Sequence, residues 1–159
     1  MRLVASLLVV VCLSCTTAIV FPHRELFEQA NTPYGRTYTV RTGIEDILDK
    51  VRSYIRSHQI EEREEQDREN SATITTQYVN APVPTAPRQE RRVAYQVSVT
   101  REGDRIYHVQ LRCVAQIRGK YEKTWQNEPP EGYQRTCYSA FHEGLDHTIW
   151  MMEFDTRPK

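Results

Sequence analysis

Glycine is scarce in this chain, with six residues in 159, each standing alone. That scarcity excludes the glycine-rich loops that cradle phosphates in nucleotide-binding proteins. No Gly-x-Ser-x-Gly elbow occurs, so one common hydrolase nucleophile is missing from the sequence. Net charge is absent as well, because 21 basic and 21 acidic residues cancel. The chain therefore has no global pull toward phosphate or anionic lipid. No Asn-x-Ser/Thr acceptor is present for classical N-glycosylation. After residue 18 no apolar run is long enough to suggest a membrane span.

What is present begins at the amino terminus. Arg2 gives a basic start, Leu3 to Cys15 is apolar or small, and Thr16-Thr17-Ala18 supplies small residues. This pattern predicts a secretory signal peptide over 1–18, cut after Ala18. Cys15 stands in a Leu-Ser-Cys setting like that of an acylated lipoprotein, but Cys12 takes the place of the expected aliphatic residue. Export leaves about 140 residues, enough for one domain. Cys12 and Cys15 depart with the leader. Cys113 and Cys137 remain as an even pair bound for an oxidising compartment, and a disulfide between them is expected. Closing a ring of about 25 residues is worth on the order of 3 kcal/mol, so an ordinary apolar core must supply the rest.

Residues 19–34 show no period and read as a loose lead-in. Arg36 to Arg41 alternates, with Tyr38 and Val40 on one side, which predicts a short strand. Thr42 and Glu45 fit a reciprocal capping pattern, and Ile44, Ile47, Leu48, Val51, Tyr54 and Ile55 fall on one helical stripe. Nearly every residue from Glu61 to Asn70 is charged or an amide. Pairs such as Arg63 with Asp67 predict a solvated helical extension over 58–70. Ala72 to Val79 is strand-like.

Residues 80–92 carry Pro82, Pro84 and Pro87 and read as an exposed proline-rich loop. Its end, Arg91-Arg92, is either a candidate cleavage point or a plain polar rim. Val93 to Val99 and Tyr107 to Ile117 alternate around a turn at 101–104, which predicts a long hairpin. Thr136 to His142 and His147 to Phe154 read as a second hairpin around 143–146. The expected fold class is α+β: one domain over 35–159, with an N-terminal amphipathic helix packed on a curved antiparallel sheet and one disulfide.

Few residues suggest chemistry. His142 and His147 bracket Glu143 and Asp146, types that bind metals or move protons. Their spacing matches no metal signature, however, and turn residues are polar by default. No catalytic residue, metal or cofactor is assigned, and no enzymatic activity is expected. Tyr121, Trp125 and Tyr133, interleaved with Arg118 and Lys123, form the candidate partner-binding set. Such residues anchor protein interfaces, and they also stack on bases. The structural alternative is that Trp125 folds back to seal a sheet edge.

Two families resemble this chain. The order of parts is similar to small secreted effectors of plant-pathogenic fungi, the ribonuclease-like candidates of powdery mildews. A leader precedes Gly35-Arg36-Thr37-Tyr38-Thr39-Val40, a helix from Ile44 to Ile55 follows, and a hairpin runs from Tyr95-Gln96-Val97 through Gly103, Ile106 and Tyr107. Those effectors place a cysteine where Val40 stands here. No catalytic ribonuclease set aligns, so the resemblance implies a non-catalytic protein that binds host proteins or RNA to suppress defence. The alternative is a cystatin-like inhibitor of papain-type proteases. Gln77-Tyr78-Val79-Asn80-Ala81 is similar to the inhibitory Gln-x-Val-x-Gly hairpin, with Gln77 and Val79 as its working residues and Ala81 in place of the glycine. The overall expectation is a secreted monomer without membrane contact, acting outside or inside host cells.

Overall fold

The computed structural model describes residues 19–22, 24–29, 36–67, 69–81, 88–128, 137 and 140–158. The expected signal peptide lies outside them. In chain order the elements are α1 (Arg24–Gln29), β1 (Thr37–Val40), α2 (Ile44–Ser57), β2 (Glu62–Asp67), β3 (Ser71–Thr76), β4 (Val79–Ala81), β5 (Gln89–Gly103), β6 (Ile106–Gly119), β7 (Gln126–Asn127) and α3 (Ala140–Asp155). Every described strand pairing is antiparallel. The sheet runs β1-β6-β5-β3-β2, with β4 beside β5 and β7 beside β6. The class is α+β, and Cys113 is disulfide-bonded to Cys137.

The β5–β6 hairpin is the spine. Its register runs from Gln89↔Gly119 to Gly103↔Ile106, with a bulge between Arg101 and Gly103. Successive strand residues point to opposite faces, so Tyr95, Val97, Val109, Leu111 and Cys113 share one side. They are buried in a single cluster with Ile47, Leu48, Val51 and Ile55 of α2, Val40 of β1, and Leu145, Ile149 and Met152 of α3. Each large aliphatic chain taken from water there contributes about 1.5–3 kcal/mol before entropy is counted. The reverse face holds a smaller cluster, with Phe27 of α1 against Ala94 and Val114. Because both faces are covered at this point, Val93 to Val97 are buried without interruption.

The structure corrects several sequence expectations. The lead-in is not all loose, since 24–29 forms α1. Among the described residues α1 precedes α2 and α3 follows it, so the expected single helix is flanked by others. At the start of α2 the cap is Gly43, with no side-chain cap bond. Thr42 instead donates its hydroxyl to Asp46 at 2.8 Å, so the Thr42–Glu45 box does not form.

The charged stretch 58–70 is not a helical extension. After His58 the chain turns through Gln59 at φ 57° and enters β2. Arg52 and Arg56 of α2 reach across to Glu64 and Glu62 at 2.6 and 2.5 Å, so the charges tie an edge strand to the helix. Charged edges also discourage pairing with other chains. The expected loop over 80–92 shrinks from both sides, because β4 ends at Ala81 and β5 begins at Gln89. The three loop prolines lie outside the described residues.

The second hairpin is replaced by α3. Its buried residues His142, Leu145, Ile149 and Met152 recur at three- and four-residue spacing, the period of a helix and not of a strand. Cys113–Cys137 therefore links a strand to the segment leading into α3, with Cα atoms 6.1 Å apart.

Candidate functional site

Alternation along β5 and β6 places Glu90, Arg92, Gln116 and Arg118 side by side, since Glu90 pairs with Arg118 and Arg92 with Gln116. On this platform the chain after β6 folds back, and β7 returns to pair with Gln116 and Ile117. Trp125 precedes β7 and lies under two cations. The Arg92 guanidinium is 4.3 Å from the indole centroid and that of Arg118 is 4.4 Å away. Arg92 also sits 4.1 Å from the Tyr78 ring. The result is a ladder of cation–π contacts, Tyr78–Arg92–Trp125–Arg118, each desolvated contact worth up to about 2 kcal/mol.

Hydrogen bonds fix the ladder in place. Arg92 donates through Nε and Nη2 to Gln116 Oε1 at 2.9 and 2.7 Å. Gln116 in turn donates to Asn127 Oδ1 at 3.3 Å, and Arg118 Nε donates to Glu90 at 2.6 Å. Burial, with the Arg118 charge nearby, lowers the Arg92 pKa, while Tyr78 opposes the shift. Arg91, on the other side of the strand, pairs at 3.0 Å with Glu128, whose side chain is 1% exposed. The dibasic pair is thus paired backbone inside β5 with both side chains engaged. It is not an exposed loop end.

The ladder pins a short loop. Lys120 N–H donates to the Arg88 carbonyl at 2.8 Å and Glu122 N–H to the Gly119 carbonyl at 2.9 Å. The Glu122 carboxylate also accepts from Gly119 N–H at 2.9 Å. Tyr121 stands at the tip with 91% of its surface exposed. Lys123 is exposed beside it.

The candidate set therefore divides. Arg118 and Trp125 hold the loop, Tyr121 and Lys123 are presented by it, and Tyr133 lies outside the described residues. Sequence reading missed Tyr78 and Arg92, which reach the ladder only through strand register. The one available signal was the alternation of β5, which continues upstream of Val93.

Gln77 and Val79 sit in the β3–β4 strip alongside β5. Gln77 N–H donates to the Glu61 carbonyl at 3.0 Å, and Val79 pairs with Val93. Both are half-buried against the sheet.

The His142–His147 group falls on α3 and not on a turn. His142 is buried beside the Tyr95 ring at 5.9 Å, and burial lowers its pKa, opposed by Asp146 and Glu143. Asp146 accepts from Tyr38 at 2.6 Å and from Arg36 at 3.4 Å. Burial and that carboxylate push the Tyr38 pKa up to about 12. Glu153 accepts from the Thr39 N–H at 3.1 Å, and Thr156 accepts from the Arg41 N–H at 3.0 Å. Asp146 and Glu153 of α3, with Thr156 just past its end, thus hold β1 along its outer edge. Among the described residues no three metal-binding side chains converge.

No family model matches the chain, and no curated protein matches it. Among solved structures, a TBP-like protein from Parabacteroides distasonis is similar at a TM-score of 0.48 and 11% identity, over 83% of this chain and 99% of that one. A likeness this slight bears on neither partner nor activity.

Proposed function

We propose that this chain is a secreted, non-catalytic effector-type protein that binds a host protein through the loop bearing Tyr121 and Lys123. The single observation that carries this reading is an almost fully exposed tyrosine on a loop pinned by the Arg92–Trp125–Arg118 ladder and by β7. A side chain displayed on a fixed backbone loses little entropy on binding, and Tyr is a frequent interface anchor. In this reading the amphipathic α2 packed on a curved sheet is the scaffold, and the disulfide braces it. The leader-like start and the bonded cysteine pair support export.

The test is expression of residues 19–159 in plant cells with a defence readout. The wild type is expected to suppress the response. A Tyr121→Ala, Lys123→Glu variant should lose that effect while melting at the wild-type temperature. A flat wild-type response, or an unaffected variant, defeats the proposal.

A further inference from the structure

Helix α3 is apolar on two opposite sides. One side is in the core. On the other, Glu143, His147, Trp150, Met151 and Phe154 form one stripe pointing away from the buried set, and Arg157, just past the helix end, lies 5.9 Å from the Phe154 ring. Trp150, Met151 and Phe154 are 39%, 36% and 54% exposed. Their rings are already ordered: His147 stacks on Trp150 with centroids 5.5 Å apart, and Trp150 stacks on Phe154 at 5.6 Å. Contiguous exposed apolar surface marks an interaction site more often than scattered single residues do.

The charge pattern along the stripe selects the cover. Glu143 stands near the start of the helix and Arg157 just past its end. Arg157 pairs within the chain with Glu153 at 3.2 Å, an exposed contact of low strength that can be exchanged for Glu143 of another copy. We propose that the stripe binds a second copy of this chain, the two α3 helices lying antiparallel about a two-fold axis near Trp150 and Met151. That symmetry sets Glu143 of each copy against Arg157 of the other, His147 against Phe154, and Trp150 against Met151. The pairing is self-complementary, as a two-fold interface must be. Sulfur against an aromatic ring is itself favourable. An anionic membrane suits the stripe poorly, because Glu143, Asp146, Glu153 and Asp155 all lie on the same helix and the chain carries no net positive charge.

A specific, stable interface buries about 800 Å² per partner, so a contact confined to one helix stripe is expected to be weak. The surface is separate from the Tyr121 loop, and its test does not depend on the functional proposal.

Sedimentation equilibrium of the oxidised protein, both full-length and beginning at Ile19, reads the result. The mass is expected to rise from one copy toward two across about 1–500 µM, the range of a weak complex. Phe154→Glu should abolish the rise with the melting temperature unchanged. Glu143→Arg and Arg157→Glu should each weaken association about tenfold, and the double swap should restore it to within about threefold. Three results overturn the proposal: a wild type that stays single throughout, a Phe154→Glu variant that still pairs, or a double swap no better than the singles. A single-copy wild type that instead co-sediments with neutral or anionic vesicles assigns the stripe to lipid.

Discussion

Helices α2 and α3 share one core yet present opposite exteriors. Ile47, Leu48, Val51 and Ile55 turn α2 inward, while Asp49, Lys50, Ser53 and Arg56 face water. Helix α3 puts Leu145, Ile149 and Met152 into the same core but shows Trp150 and Phe154 to solvent. Burial fixes the inner face of both. The outer face is left to function, and there the two helices diverge. The difference teaches that core burial constrains one face of a helix and leaves the other open, charged on α2 and aromatic on α3, where the proposed pairing would use it.

That contrast can be broken most forcefully from inside. Leu48→Ala and Ile149→Ala should each cost about 2–5 kcal/mol, measured by urea unfolding, if the two helices belong equally to one cooperative unit. A small cost for Ile149→Ala alone would make α3 an accessory.

Next in size is the crossing of the helices. The Tyr54 hydroxyl donates to the Phe141 carbonyl at 3.2 Å, and a methyl built on Gly144 would collide with that same hydroxyl. Alanine is ordinarily favoured over glycine in a helix by about 1 kcal/mol. Gly144→Ala should nonetheless destabilise by about 1–3 kcal/mol through overpacking, seen as a lower thermal midpoint. A raised midpoint would mean that the helices are not held this close.

A graded effect comes from His142. Burial favours its neutral form, so its folded pKa lies below the ordinary value of about 6.5. The unfolded chain therefore binds the proton more readily. The stability this site supplies is complete above about pH 6.5 and is lost as pH falls toward the folded value. Denaturation midpoints between pH 7.5 and 5 should decline, and His142→Phe should flatten that decline.

Smallest are the exteriors themselves. Asp49→Ala on α2 and Trp150→Ala on α3 should each shift stability of the dilute protein by about 0.5 kcal/mol or less. A large loss at Trp150 would show that it belongs to the fold.

The same contrast explains what could be read from the sequence. Helix α2 was legible because its apolar residues keep a single period and its other side is charged. The β5–β6 hairpin was legible because Tyr95, Val97, Tyr107 and Val109 alternate cleanly. Helix α3 was not. Its two apolar sides blur the period, Thr148-Ile149-Trp150 has strand-like chemistry, and Gly144 between acidic residues resembles a turn. Strand β2 hid because a run of charge carries no hydrophobic period, and its partner, the Thr-rich β3, decides its state. At the site, Trp125 and Arg118 were visible as a local set. Tyr78 and Arg92 were not, because pairing across strands brought them there.

The covalent bridge beside α3 has a mechanical consequence. Cys113 lies in the spine and Cys137 just before the helix. Should α3 lift away, it stays leashed within a small volume, at an effective concentration of order millimolar. Re-seating is then far more probable than loss. A reductant removes that leash, and an α3 that lifted would then uncover the amides of Thr39 and Arg41, which Glu153 and Thr156 hold.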